Sequence, residues 1–276
     1  MVGVREAWRR VVRVVRLADI VAEVLDARIP HLTRYPRLER LVARLDKQLI
    51  LVINKADLVP PHIADSWRRV LNQEHPTVCI SARRGVTMLR HLIEKLAKDL
   101  LRRFRYPRIR VGIVGYPNVG KSSIINALAG RYAAATSPVP GFTRGEAFIR
   151  LADRIYLIDT PGVFPPVGDS TTRMMCGAAP PESLPDPVPP ALDIIKLALS
   201  RNPRSLYRLY RTGSRVRDPL AVLKHVARWR GLVRKGGVFD IEEAARIVIR
   251  DWQFGNLVFW YTPEEVGYAS TSNRSE

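Results

Sequence analysis

The sequence is poor in cysteine, in acidic residues and in long apolar runs. Its two cysteines among 276 residues, Cys79 and Cys176, stand far apart and without paired metal-ligand spacing. That excludes a disulfide framework and a zinc finger, and leaves ordinary thiols of a reducing cytoplasm. No apolar stretch approaches the roughly 18 residues of a membrane-crossing helix. The Arg-rich start is interrupted by Glu6 and Asp19 and runs into a strand-like stretch, so it does not read as a cleaved targeting peptide. Internal repeats are absent. What is abundant is positive charge: 45 Lys and Arg against 26 Asp and Glu, a net +19, beside 46% hydrophobic residues. A chain of this length suits one sizeable core and a second, smaller one.

Three motifs occur in an unusual order. Asn54-Lys55-Ala56-Asp57 comes first, Gly115-Tyr116-Pro117-Asn118-Val119-Gly120-Lys121-Ser122 second, and Asp159-Thr160-Pro161-Gly162 third. The middle one fits G-x-x-x-x-G-K-[ST] between an apolar run, Ile109 to Val114, and a helical pattern, Ser123 to Leu128. Gly115 and Gly120 allow close backbone approach, so the N–H groups from Asn118 and Val119 through Gly120, Lys121, Ser122 and Ser123 can face phosphate oxygens at a helix N-terminus. Lys121 would reach the β- and γ-phosphates, with the Ser122 hydroxyl on Mg²⁺. This loop predicts a nucleoside triphosphate and leaves the base open.

Asn54 to Asp57 names the base. They follow the buried-strand run Leu49 to Ile53. A carboxylate at Asp57 accepts from both N1–H and N2–H₂ of guanine, a pairing adenine does not offer. Asn54 would bond the ring edge and brace the loop, while the stem of Lys55 lies along the base. A site built on such hydrogen bonds rejects a ligand lacking them by roughly 10⁴ to 10⁵. Ser81-Ala82-Arg83 follows another strand-like run, Thr77 to Ile80, and would direct the Ala82 N–H to the guanine carbonyl.

Asp159 to Gly162 ends the apolar run Ile155 to Ile158. The Asp159 carboxylate can hold Mg²⁺ through water, and the Gly162 N–H can sense the γ-phosphate. Upstream, Thr143 in Pro140-Gly141-Phe142-Thr143 is the candidate second hydroxyl on Mg²⁺. Lys121, Thr143 and Gly162 are therefore the residues assigned to the reacting phosphate.

The apolar periods predict an α/β fold: a mostly parallel sheet flanked by helices, with Ala147 to Leu151 and Ile155 to Ile158 as a hairpin of the same sheet. Nine prolines between Pro161 and Pro190 interrupt regular structure there. The expected organisation is a nucleotide domain over 1–165, a linker over 166–190 and an α-helical domain over 191–276. Charge follows this division: residues 111–190 carry 6 basic and 6 acidic side chains, against 24 and 11 before them and 15 and 9 after. From Ile194 to Lys235 there are 12 basic residues and one acidic, Asp218, with Tyr207, Tyr210 and Trp229 interleaved. That is the footprint of a nucleic-acid face, or else of a solvated helix surface with its aromatics in the core.

These motifs, together with Asp26-Ala27-Arg28-Ile29-Pro30 and the pattern G-G-x-x-D-x-x-x-A-A from Gly236, resemble the YlqF/RbgA family of circularly permuted GTPases, whose motif order is G4-G5-G1-G2-G3. The resemblance implies GTP and GDP as ligands, Mg²⁺ as cofactor, and action on the pre-ribosomal large subunit through rRNA, by a cytoplasmic monomer that does not bind membranes. Two departures bear on hydrolysis. The family's N-terminal catalytic histidine has no counterpart, the first histidine here being His31, and Val163 stands where many small GTPases place a water-orienting Gln. Slow intrinsic hydrolysis is expected until a partner or ion supplies the missing group. Asn118 has two readings: a ligand for K⁺ beside the phosphates, as in similar K⁺-stimulated GTPases, or a residue tolerant of a tight turn. The competing functional classes are a GTP-gated RNA-binding scaffold without catalysis and a GTPase of small-subunit assembly, the latter lacking support from any zinc-spaced Cys/His cluster.

Overall fold

The computed structural model describes residues 4–104, 106–130, 147–159, 168–213 and 216–268. The chain divides into two compact units, 1–165 with 261–276 and 166–260.

In the first unit, the described strands β1 (Ile20–Asp26), β2 (Gln48–Asn54), β3 (Thr77–Cys79), β4 (Ile109–Gly115), β5 (Ala147–Ala152) and β6 (Ile155–Asp159) form one sheet in the order β3-β2-β1-β4-β6-β5. All neighbours pair in parallel except β5 with β6, which form the expected hairpin. β1 is buried along its whole length, as a strand covered on both faces must be, which is why its sequence shows no polar alternation. α1 (Val4–Leu17) reaches β4 at Gly112, where a Cβ would come within 2.8 Å of Val14 Cγ1. The other helices of this unit are α2 (Pro30–Thr33), α3 (Pro36–Arg44), α4 (Pro61–Leu71), α5 (Thr87–Phe104) and α6 (Lys121–Ala129). Three of them begin on proline, whose missing N–H costs nothing in the first turn.

The second unit is helical: α7 (Ser170–Met175), α8 (Val188–Arg201), α9 (Pro203–Tyr210), α10 (Pro219–Trp229) and α11 (Ile241–Phe254). Its core is built from Ile194, Ile195, Ala198, Leu206, Val222, Val226, Val248 and Trp252, all buried. Asp169, Asp218 and Asp240 cap α7, α10 and α11 by accepting N–H groups of their first turns, and Gly255, in the left-handed region at φ 81°, ends α11. Two expectations change here. The stretch 166–190 is not a bare linker, since α7, a short 3₁₀ turn at Pro181–Ser183 and the Pro-led start of α8 occupy much of it. Residues 261–268, expected in the helical domain, belong to the first unit: the Tyr261 N–H donates to Arg28 O, Trp67 Nε1–H donates to Tyr261 O at 2.7 Å, and the Tyr268 ring meets Trp67 edge-on at 5.3 Å. A short run of Tyr and Pro carries no periodicity that would have revealed this return.

Candidate functional site

In a parallel sheet all carboxyl ends lie along one edge, so motifs that follow different strands converge there whatever their order in the chain. Asp26 ends β1, Asn54 ends β2, Ser81 and Ala82 follow β3, the loop from Gly115 to Gly120 follows β4, and Asp159 ends β6. The rotated order of the motifs thus leaves their juxtaposition intact.

Asn54 is the junction. It is buried, its Nδ2–H donates to Val119 O at 2.8 Å, and its Oδ1 accepts the Ala82 N–H at 3.0 Å. One side chain therefore ties the three motif loops together. The Ala82 N–H, assigned from the sequence to the guanine carbonyl, is spent here on Asn54. Lys55 takes a left-handed conformation, φ 62° and ψ 31°, which turns the chain so that Ala56 N–H can donate to Ile80 O at 3.1 Å. Asp57 is half-buried and shares a cleft of about 540 Å³ with Ser81, Ile80, Arg84 and Met88. The Ser81 hydroxyl is buried there with no hydrogen-bond partner among the described residues.

The phosphate loop has the backbone its glycines were expected to supply. Gly115 has φ 154° and a Cβ there would lie 2.6 Å from Val24 O. Gly120 has φ 100° and a Cβ would lie 2.3 Å from Asn54 Nδ2, so any side chain would break the Asn54 junction. Asn118 also lies in the left-handed region, at φ 60°, so turn geometry accounts for its identity. Val119 packs inside, and Ser122 and Ser123 are exposed on the first turn of α6. Lys121 is buried and its Nζ donates back to Tyr116 O. Burial, and then the nearby Lys55, push its ammonium down to about 8: a cation held at the helix start with no carboxylate paired to it among the described residues. Mg²⁺, a hard cation that favours oxygen ligands, suits the exposed Ser122 hydroxyl, and Asp159 ends the neighbouring strand β6 with its side chain outside the described part. Thr143 and Gly162 lie outside the described residues.

A cluster the motifs did not assign lies beside the specificity loop. Asp26 accepts from Arg28 Nε at 3.0 Å and from Arg28 Nη2 at 2.8 Å, and Lys55 Nζ lies 2.9 Å from its second oxygen. Asp26 and Arg28 are almost wholly buried. Burial alone would raise the Asp26 carboxyl, but Arg28 and Lys55 outweigh it and hold it well below the usual carboxylate range. Lys55 is lowered by burial against the pull of Asp26. The arrangement fixes the stem of Lys55, and the Arg28 carbonyl meanwhile anchors Tyr261. The sequence signals were position, with Asp26 ending a buried strand, and the place of Asp26-Ala27-Arg28-Ile29-Pro30 in the family resemblance, neither of which assigned the residues a role. Next to it, Glu23 is fully buried, with Oε1 accepting the Tyr35 N–H at 2.7 Å. Burial and the neighbouring Glu39 raise its carboxyl well above the ordinary range, and the Tyr35 ring rests against Tyr116 of the phosphate loop at 6.2 Å.

Of the aromatics in the basic stretch, Trp229 is exposed, whereas Tyr210 is fully buried and its hydroxyl donates to Asp251 at 2.9 Å. Tyr210 is thus core and unavailable for stacking, as the spacing of Leu206, Leu209 and Tyr210 on one helix face requires. No helix among the described residues is long and apolar enough to cross a membrane.

Comparison with known proteins agrees with this geometry. Residues 110–179 match the family model described as 50S ribosome-binding GTPase. The chain is 38% identical over 250 residues to an uncharacterized GTP-binding protein of Methanocaldococcus jannaschii, covering 90% of this chain and 65% of that protein. It is 36% identical to nucleolar GTP-binding protein 2 of Neurospora crassa, covering 94% of this chain and 42% of the relative. The chain thus spans less than two thirds of either relative's length. Among solved structures it is similar to GNP-bound YlqF from T. maritima, with a TM-score of 0.60, 25% identity, and coverage of 94% of this chain and 99% of that one.

Proposed function

We propose that this chain, similar over 94% of its length to YlqF, is a circularly permuted GTPase that binds GTP and GDP, hydrolyses GTP slowly, and serves ribosome assembly on the large subunit through rRNA contacts of its second unit. The observation that carries the nucleotide part is the Asn54 junction, which holds the guanine-reading loop, the Ala82 loop and the phosphate loop in one piece. Asp57 reads the N1–H and N2–H₂ edge. Lys55, braced by Asp26, lies along the base. Lys121 gives up its bond to the Tyr116 carbonyl for the β- and γ-phosphates, and the α6 N-terminus offers its free N–H groups to the same oxygens. Bound Mg²⁺, held by Ser122, Thr143 and Asp159, would supply positive charge where the leaving phosphate becomes more negative. Thr143 and Gly162 would report the γ-phosphate, and Gly162 is four residues before the start of the second unit. With Val163 in place of a water-orienting side chain, the last group needed for hydrolysis comes from the ribosomal particle. The protein acts as a cytoplasmic monomer.

The test is co-sedimentation of the full chain with separated ribosomal subunits, in GDP and in a non-hydrolysable GTP analogue, with GTP turnover measured alongside. Retention on large subunits only in the GTP-like state, with turnover stimulated at least tenfold, is expected. Nucleotide-gated retention without stimulated turnover would replace the enzyme by the GTP-gated scaffold, and retention on small subunits alone would move the protein to the other assembly line. K⁺ at Asn118 is tested by exchanging KCl for NaCl at constant ionic strength: a fall in turnover with unchanged GTP affinity assigns the ion there, and equal rates leave Asn118 to its turn.

A further inference from the structure

Between α10 and α11 the chain makes a tight excursion that nucleotide chemistry does not use. Val233 and Phe239 form an antiparallel bridge, and the Arg234 N–H donates to Val238 O at 2.8 Å. Gly236 and Gly237 turn the chain at φ 97° and 80°, with nothing within 4 Å of where a Cβ would stand. Every residue from Arg228 to Phe239 except Leu232 is exposed. Four are large and apolar: Trp229 at 39%, Val233 at 53%, Val238 at 67% and Phe239 at 37% exposure. Such a cluster, at the end of α10 and on the hairpin after it, leaves apolar area in solvent and marks a contact surface.

Charge decides what the surface meets. Between Asp218 and Asp240 there are five Lys and Arg and no acidic residue. The Arg230 guanidinium lies 4.6 Å from the Trp229 ring centroid, and that of Arg228 lies 5.7 Å from the Phe239 centroid. Arg234 is engaged at the hairpin base by Asp240 at 2.9 Å and Glu242 at 3.1 Å. The cations offered outward are therefore Arg228, Arg230 and Lys235. Protein-binding patches tend to shed charge from their centre, whereas here each exposed aromatic is flanked by a cation. Rings beside guanidinium planes, on a positive background, are what unstacked bases and a phosphate backbone require. At the open glycine tip the Gly237 N–H closes the turn onto Arg234 O at 3.1 Å, and the Gly236 N–H is shielded by no side chain.

We propose that the segment from Arg228 to Phe239, the end of α10 with the hairpin that follows it, is an RNA-contacting element, in which Trp229 and Phe239 stack on unpaired bases while Arg228, Arg230, Lys235 and the Gly236 N–H take phosphate. The proposal rests on the ribosomal reading above and localises its RNA contact to one element.

The experiment uses the full chain, a fluorescein-labelled single-stranded RNA of about 20 nucleotides, and anisotropy over a range of KCl, with fluorescent GDP binding as the check on folding. Combined Arg228→Ala, Arg230→Ala and Lys235→Ala substitutions should weaken RNA binding at least tenfold and lower the log–log salt slope by about 2, at roughly 0.7 per phosphate, while GDP binding stays as in the wild type. Trp229→Ala should weaken RNA binding about fivefold or more and leave the slope unchanged, since stacking is not a counterion effect. If the wild type binds RNA and both variants bind it equally well, the hairpin is overturned as the RNA contact and the ribosomal reading stands. A triple variant that keeps RNA affinity but no longer sediments with ribosomal particles overturns it in favour of a protein partner. Wild-type protein that binds neither RNA nor particles overturns the ribosomal reading and the hairpin with it.

Discussion

In the first unit Glu23, Asp26, Arg28 and Lys121 are all buried around the carboxyl edge of the sheet, whereas in the second Arg228, Arg230, Arg234 and Lys235 stand in solvent. The difference fits the role proposed for each surface. A site that must choose one base and hold phosphates needs charges fixed by neighbours in a water-poor place, where their interactions are strong and their orientation is set by the sheet. A surface that meets a polyanion needs only a high density of mobile cations, whose interactions are screened and individually weak. The buried set therefore depends on geometry, and the exposed set on composition.

The largest expected effect tests the buried side of that contrast. Asp26→Ala removes the carboxylate that faces both Arg28 and Lys55, and breaking a buried pair in this way costs about 3–5 kcal/mol. Urea titration followed by loss of fluorescent GDP binding should show the midpoint collapse, while Arg234→Ala in the exposed set leaves it where it was. Equal shifts would erase the distinction. The pH sense is fixed by the lowered Asp26 carboxyl: its contribution is complete at neutral pH, above the ordinary carboxylate range, and is lost as acid carries the pH down through its folded value.

Next in size is base choice. Asp57→Asn keeps one acceptor and adds a donor that opposes the guanine amino group, so GDP affinity should fall by about 2–4 kcal/mol as paired groups go unmatched. Xanthosine diphosphate, with a carbonyl at that position, should gain. A mutant that still prefers GDP in parallel titrations would show that Asn54 to Asp57 is a surface turn.

Tyr210→Phe sharpens the comparison from the other side, because Tyr210 donating to Asp251 is a buried polar contact of the second unit. Loss of a hydrogen bond to a charged acceptor costs about 1.5–3 kcal/mol. The second unit's melting should shift, and GDP affinity should not. A change in GDP affinity would mean that the two units do not keep their polar interiors separate.

The smallest effect is titration of Lys121. Its ammonium, at about 8 in the free protein, regains its charge beside phosphate, so binding takes up a proton above that pH and weakens as pH rises. GDP affinity should fall about tenfold from pH 7 to pH 9, or about 1.4 kcal/mol. Lys121→Met should bind more weakly and flatten that dependence. A wild-type profile as flat as the mutant's would contradict a buried, phosphate-seeking ammonium.

Much of the first unit was legible because each strand ran into a motif whose chemistry is local: Leu49 to Ile53 into Asn54, Ile109 to Val114 into Gly115, Ile155 to Ile158 into Asp159. The α8 start was hidden by proline, which reads as a breaker but also opens helices. Tyr210 was legible as core from its spacing and as a stacking platform from its company; packing chose core. Asp26 and Arg28 were visible as neighbours in the chain, but the pairing of Asp26 with Lys55 crosses from β1 to the loop after β2, and no periodicity carries that.

By itself the sequence named the candidate nucleotide chemistry, since Lys121 after two spaced glycines and Asp57 after Asn54 are the residue types that phosphate and guanine call for wherever they fall in the chain. It also determined the charge of the second unit, because composition is a sum and needs no coordinates. The tertiary structure alone decided which groups meet: Asn54 with Val119 and Ala82, Asp26 with Lys55, Tyr261 with Arg28 and Trp67. Those contacts join residues brought together by parallel pairing and by the return of the chain, and a hydrogen bond depends on distance in space, which order along the chain does not specify.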